Sequence, residues 1–288
     1  MKIASIGGRL SLITGVSTAI DVNKASDGVF CTDPQSIYAR WDEFTAWAAT
    51  ADRAEQIEFT TADLGAPVPA PQQIFAIGLN YSEHADESGL TVPEAPTVFT
   101  KFPSSLSGPI TTVTLPPGGN TDWEVELVVV IGRTASQIAE SEAWSHVAGL
   151  TVGQDLSERN AQFFGPIPQF SLGKSFPGFS PTGPWVVTLD EISNPSDLEL
   201  GCTINGKQMQ LGRTRDLVFS VPSLISTLST TVTLLPGDLI FTGTPAGVGV
   251  MRDPKVFLKH GDTLVSWVEG IGEITQTLID ATSSSNPS

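Results

Sequence analysis

Residues 121–132 read TDWEVELVVVIG. Asp122, Glu124 and Glu126 occupy alternate positions, and in an extended chain alternate side chains point to one side. Residues two apart on a strand lie roughly 6.6–7 Å apart. Ionised carboxylates at that spacing repel, the more so beside an apolar segment with little water. Two readings fit. A solvated strand end tolerates the charges and is the commoner setting for a lone Glu-x-Glu. A divalent metal site requires them, because hard cations such as Mg²⁺ take oxygen ligands and keep positions for water or substrate oxygens.

A metal site of this type wants a third carboxylate from another element. Asp155, in GLTVGQDLSERNAQ, follows a short strand, LTVGQD, that can pair beside EVELVVVIG. Arg159 and Gln162 stand four and seven residues further on, so on helical turns they share a face with Asp155. A carboxylate, a guanidinium and an amide together suit a metal-bound organic anion. They equally suit an ordinary polar helix face with an Asp–Arg pair. Of the three histidines, His260 sits in a KHGD turn and His146 follows Trp144 in an amphipathic pattern. His84 differs: in GLNYSEHADESG it is followed by Glu87, and one helical turn lets that carboxylate hold the imidazole for general-base work. An exposed polar loop is the alternative.

The segments that must position these groups are mostly strands. KIASI, RLSLITGV, TVTL, EVELVVVIG, PWVVTL, LELGCTI, DLIFTG and TLVSWVEG predict strands, separated by the turns PPGGN, NPSD, NGK, LPGD and KHGD. Leu127 to Ile131 is a near-continuous apolar run, which predicts burial on both faces. Helical patterns cover 41–54, 141–149 and 221–229, with 79–89 a short helix or helical loop. The order is a β-dominated α+β pattern, not alternating βαβ units. The prolines of DLGAPVPAPQ (63–72) suggest a boundary, giving a small N-terminal module at 1–70, a main domain at 71–280 and a flexible tail at 281–288.

Composition narrows the classes. The 288 residues carry a formal charge of −16, which repels phosphate backbones and disfavours nucleic-acid partners. Two cysteines without metal spacing argue against a disulfide framework and for a reducing cytoplasm. No stretch approaches the roughly 18 apolar residues of a membrane span. MKIASIGGRLSLITGV predicts a first β-hairpin rather than a signal peptide. The absence of a glycine-rich phosphate loop disfavours a nucleotide- or NAD-linked enzyme.

In order, IFAIGLNYSEHADE, PTVFTKFPSSLSGP, DWEVELVVVIGR, GQDLSERNAQ, GKSFPGFSPTGPWVVT, INGKQMQ, LLPGDLIFTGTPAGVG and FLKHGDTLVSWVEGIGEI resemble the fumarylacetoacetate hydrolase (FAH) family, in an acylpyruvate hydrolase-like form. The resemblance runs from about residue 73 to 276. It implies a mixed β-roll of FAH type with a small N-terminal module, commonly as a homodimer. It implies Mg²⁺ or Mn²⁺ on Glu124, Glu126 and Asp155, with Ca²⁺ able to stand there in crystals. His84 and Glu87 would lie on a mobile lid helix, and Lys174 of GKSF would face the substrate as a third catalytic group. Arg159, Gln162, Thr244 and Lys101 match residues near the substrate. Asp122 would orient a ligand or a metal-bound water. One departure is Pro177, where many relatives carry an aspartate.

The activity so implied is hydrolytic cleavage of a C–C bond in a 2,4-diketo acid of acylpyruvate, fumarylpyruvate or diketo-deoxy sugar acid type, through a metal-stabilised pyruvate enolate. His84 and Glu87 would activate water, while Lys174 and Gln162 stabilise the oxyanion or deliver a proton. The same scaffold hosts oxaloacetate-type decarboxylation and the isomerisation or hydration of unsaturated keto acids. A non-catalytic, Ca²⁺-stabilised β binding module is the reading outside enzymes. It would keep the carboxylates but has no need of His84, Lys174 and Arg159 together.

Overall fold

The computed structural model describes residues 1–281 apart from Ser88, Leu90 and Val92. Its organising strand is Val125–Ile131, in which every residue is buried. Side chains alternate across a pleat, so this run serves two cores at once. Leu127, Val129 and Ile131 join Leu150, Val152, Leu224 and Ile225 on one face. Val128 and Val130 join Ile3, Leu10, Tyr38, Trp41 and Phe44 on the other. That double burial is why the sequence is continuously apolar here instead of alternating.

The strand pairs antiparallel with Val147–Gln154 on one side and with Leu239–Phe241 on the other. Leu239–Phe241 runs parallel to Ile74–Gly78, so the sheet is mixed. Among the described residues it contains twelve strands. The predicted N-terminal hairpin forms from Lys2–Ile6 and Arg9–Ile13, and it extends this sheet through Ser180–Val187. A second sheet has five strands, in the order Lys207–Arg213, Glu199–Ile204, Thr263–Val268, Gly272–Asp280 and Ile110–Leu115. The architecture is the β-dominated α+β type that the sequence predicts. Among the described residues no helix is long and apolar enough to cross a membrane. The flexible tail expected at 281–288 lies, beyond Ala281, outside the described residues.

The helix predicted at 221–229 forms as Val221–Ser229, capped by the Ser220 hydroxyl accepting from Ser223 N. The one predicted at 41–54 stops at Ala48, where the buried positions Trp41, Phe44 and Ala48 run out. The pattern at 141–149 divides differently. Glu140–His146 is a 3₁₀ segment, and Val147 already belongs to the strand Val147–Gln154. Pairing of Val147 with Ile131 at the sheet centre outweighs the local helical period.

The charged end of the organising strand is not one continuous ladder. Thr121–Asp122 pairs with Ser157–Glu158 in a separate two-stranded ribbon, and the main ladder resumes at Val125 opposite Gln154. Trp123 and Glu124 bridge the two. Opposite Glu126 stands Gly153. A Cβ there would lie 2.4 Å from Val128 Cγ2 and 2.7 Å from Phe241 Cε1, closer than atoms pack. Gly153→Ala is therefore expected to destabilise the metal-free protein by about 1–3 kcal/mol, read from the denaturant midpoint. An unchanged midpoint would contradict this packing.

Candidate functional site

Where the ladder breaks, backbone groups need other partners. Two buried glutamines supply them. Glu124 N donates to Gln154 Oε1 at 2.9 Å, and Val125 N donates to Gln210 Oε1 at 3.0 Å. Gln154 is braced by Ser266 and Gln210 by Thr244. Asp155 N donates to the Glu124 carbonyl at 2.8 Å. This bond ties the two carboxylate-bearing segments together at their ends.

One oxygen from each of Glu124, Glu126 and Asp155 lies within 4.8 Å of the others, and all three residues are buried. Cations surround two of them. Lys174 Nζ donates to Glu124 Oε2 and Asp155 Oδ2, both at 2.7 Å, and to Ser157 Oγ at 2.8 Å. Lys101 Nζ donates to Asp155 Oδ1 at 2.5 Å and to the Lys174 carbonyl. Arg159 Nη2 contacts Asp122 Oδ1 and Glu124 Oε1, both at 2.6 Å. Its Nη1 donates to Gln162 Oε1 at 2.7 Å. Asp122 Oδ2 accepts from Val250 N at 2.7 Å.

These contacts divide the acids sharply. Burial alone would raise the Glu124 pKa, but Lys174 and Arg159 outweigh it and hold the group at about 2. Burial pushes Asp122 up to about 6 despite Arg159. Glu126 has no ion-pair partner among the described residues. Its Oε2 accepts from Gly243 N at 2.7 Å. Burial, then the charges of Asp155 and Glu124, push its carboxyl well above the ordinary range. Lys174 goes the opposite way: burial would lower it, but Asp155 and Glu124 raise it. Counting Asp122, the cluster sets four carboxylates against three cations, all buried. Buried hard oxygen donors with one negative charge in excess are the donor set that a divalent cation fits.

His84 and Glu87 come from the helix Ser82–Glu87, with His84 Nδ1 2.7 Å from Glu87 Oε1. Glu87 Oε2 accepts from Gly247 N at 2.9 Å, so the carboxylate is held from both sides. Asn80 anchors the chain just before this helix. It donates to the Phe219 and Thr242 carbonyls and accepts from Phe219 N. Gly243 links this anchor to the acids. Its φ is +103° and a Cβ would lie 2.7 Å from Asn80 Cβ, so glycine is needed for its N–H to reach Glu126.

His84, Glu124, Arg159, Gln162, Lys174 and Thr244 line one cavity of about 190 Å³. Glu126, Asp155 and Glu87 are not among the residues that line it. Thr244 Oγ1 donates to the Val125 carbonyl at 2.9 Å, which fixes the strand as well as facing the cavity. Lys101 does not line the cavity, because its ammonium is held between Asp155 and the Lys174 carbonyl. Pro177 is exposed in a Phe176–Phe179 turn, with Phe179 N donating to the Phe176 carbonyl and φ +81° at Gly178. A Pro-Gly turn of this kind needs no aspartate. Sequence reasoning missed Asn80, Gln154, Gln210 and Ser157. Only a buried amide or hydroxyl at a ladder break would have marked them, and a sequence does not display the break.

Residues 73–279 match the family described as fumarylacetoacetate (FAA) hydrolase C-terminal. The chain is 44% identical over 215 residues to the mitochondrial oxaloacetate tautomerase FAHD2A of Homo sapiens, covering 74% of this chain and 68% of that protein. Among solved structures, a candidate HpcE protein from Mycobacterium smegmatis superposes with a TM-score of 0.93 at 53% identity, covering 98% of this chain and 100% of that one. Maleylpyruvate hydrolase from Sphingobium sp. SYK-6, solved with manganese(II) and pyruvate, superposes with a TM-score of 0.76 at 29% identity, over 98% of this chain and 100% of that one.

Two outcomes follow from the uneven pairing of the acids. In chelator-treated protein, Glu126→Gln relieves repulsion and should leave stability unchanged or higher. Glu124→Gln leaves Lys174 and Arg159 short of charge and should lower it by roughly 3 kcal/mol. Equal losses in both variants would contradict the assignment. The second outcome concerns pH. The folded Glu126 pKa lies above its unfolded value, so the metal-free protein loses stability as pH rises from the ordinary glutamate range towards that folded value. A bound cation must expel the same proton. The rise in melting temperature with saturating Mn²⁺ should therefore grow as pH climbs from the ordinary glutamate range towards the folded Glu126 pKa. A shift independent of pH would contradict it.

Proposed function

We propose, from the premise that this chain belongs to the fumarylacetoacetate hydrolase family, that it hydrolyses the C3–C4 bond of a 2,4-diketo acid, with Mg²⁺ or Mn²⁺ held by Glu124, Glu126 and Asp155. The observation that carries this reading is the His84–Glu87 pair, bonded at 2.7 Å, with His84 in the same cavity as Glu124 and Lys174. The cation, when bound, supplies Lewis-acid polarisation of the substrate's keto and carboxylate oxygens.

The rest is done by side chains. An ionised carboxylate only accepts hydrogen bonds, so His84 donates from Nδ1 and keeps a lone pair on Nε2. Nε2 takes a proton from water, and the hydroxide adds to the C4 carbonyl carbon. The C3–C4 bond then breaks with its electron pair passing to C3. The imidazolium returns its proton to C3, giving pyruvate and the former acyl group as a carboxylic acid, which ionises by losing its proton to solvent. Gln162 has its carbonyl pinned by Arg159, which leaves its NH₂ to donate to the oxyanion on C4. Lys174 supplies positive charge beside that oxygen. Residues 71–280 carry this chemistry, and residues 1–70 form a module whose Ile3, Leu10 and Tyr38 pack under Val128 and Val130.

A second reading, keto–enol tautomerisation of oxaloacetate, is favoured by the 44% identity to an oxaloacetate tautomerase. There His84 moves the C3 proton and no water attacks. A panel of acylpyruvates and oxaloacetate with Mn²⁺ separates them. Hydrolysis releases pyruvate from the acylpyruvates. Tautomerisation speeds decay of the oxaloacetate enol absorbance and releases no pyruvate beyond the Mn²⁺-only rate. His84→Ala should lower kcat/KM for hydrolysis by about 10²–10⁴ while keeping the Mn²⁺ thermal shift. Full activity in that variant would contradict the base assignment.

A further inference from the structure

We infer that the acyl group of the substrate is uncharged and apolar, so the site is built for alkanoyl- or aroylpyruvates rather than for keto diacids. This rests on the hydrolytic reading of the same site. The cationic side chains lining the cavity are Lys174 and Arg159. Both contact the single carboxylate of Glu124, at 2.7 and 2.6 Å, so both stand where the reacting carbonyls sit and are already paired there, not along the acyl wall. His84, the base, is committed to the reacting atoms.

Apart from Glu124, Gln162 and Thr244, the rest of the wall is apolar, including Ile77, Leu79, Phe99, Phe163, Val250 and Met251. Phe99 stacks on Phe170 at 5.5 Å between centroids and 28° between planes, giving a flat aromatic surface. Lys174 Nζ lies 5.3 Å from the Phe99 ring, so this surface begins where the carboxylate cluster ends. Phe163 and Met251 are 51% and 37% exposed while lining the cavity, which leaves apolar area for an acyl group to cover.

Arg252 is the next cation along the chain from this wall, and it is turned away. Its Nη2 donates to the Met209 and Gly247 carbonyls. The residues outside the described set include no lysine or arginine. A second carboxylate on the acyl group would therefore be desolvated against aromatic and aliphatic side chains without a counter-charge. An alkyl or aryl group loses nothing by the same burial.

Pentanoylpyruvate and succinylpyruvate have similar length and differ in a terminal ethyl group against a terminal carboxylate. Binding of each to Mn²⁺-loaded His84→Ala protein, measured by calorimetry, tests the inference without turnover. Succinylpyruvate is expected to bind at least about tenfold more weakly. Equal or tighter binding would overturn the inference. Wild-type turnover of pentanoylpyruvate is read separately, so absent hydrolysis with the ranking intact counts against the reaction and not against the acyl wall. Met251→Arg in the same background should bring the two dissociation constants together. An unchanged ratio there would overturn the placement of the acyl group at this wall.

Discussion

Three buried carboxylates, Glu124, Glu126 and Asp155, are held within 4.8 Å of one another against their mutual repulsion. Unpaired like charges out of water would deform or protonate a yielding scaffold. Here the scaffold cannot yield. Val125–Ile131 is buried on both faces and paired on both edges, so Glu126 cannot retreat without disturbing two cores. Glu124 is fixed by Gln154, which accepts from its N–H, and by its carbonyl bond from Asp155 N, while Gln210 holds the next residue, Val125. The repulsion is offset locally and incompletely, by Lys174, Lys101 and Arg159 around Glu124 and Asp155. Glu126 receives one backbone N–H from Gly243. The unmet charge is thereby concentrated on one side chain.

The second part of the site is attached differently. His84 and Glu87 lie on a six-residue helix that meets the sheet through Asn80 and through the Glu87 bond to Gly247. Gly243 and Gly247 belong to the same GTPAG segment, one serving Glu126 and the other Glu87. The acids and the histidine are thus indexed to each other through one short stretch of backbone. That arrangement suits chemistry in which a proton and a polarised substrate must meet in register. The apolar wall of Phe99, Phe163 and Met251 then decides which substrates reach that meeting point.

Much of the site was legible because its signals are local. The alternation of Asp122, Glu124 and Glu126, the three-residue spacing of His84 and Glu87, and the turn spacing of Arg159 and Gln162 depend only on neighbours in sequence. The long apolar run announced the central strand for the same reason. What stayed hidden depends on distant pairing. Gln154 and Gln210 matter because the ladder breaks at Trp123 and Glu124, which residue types alone do not reveal. Lys101 looked like a group at the substrate, but it is Asp155 that takes its ammonium. Val147 to Gly149 completed a helical pattern, yet the vacant edge of Val125–Ile131 claimed them for the sheet. The acyl wall draws on residues from 77 to 251, and no spacing rule joins them.

The site's chemistry turns on whether Glu124, Glu126 and Asp155 together hold one divalent cation. A crystal of the protein grown with Mn²⁺ and measured at the manganese absorption edge tests it directly. One strong anomalous peak is expected at about 2.1–2.2 Å from an oxygen of each of the three carboxylates, as first-row divalent ions bind such donors. No peak at saturating Mn²⁺, with Lys174 still bridging Glu124 and Asp155, or a peak elsewhere in the molecule, would contradict it.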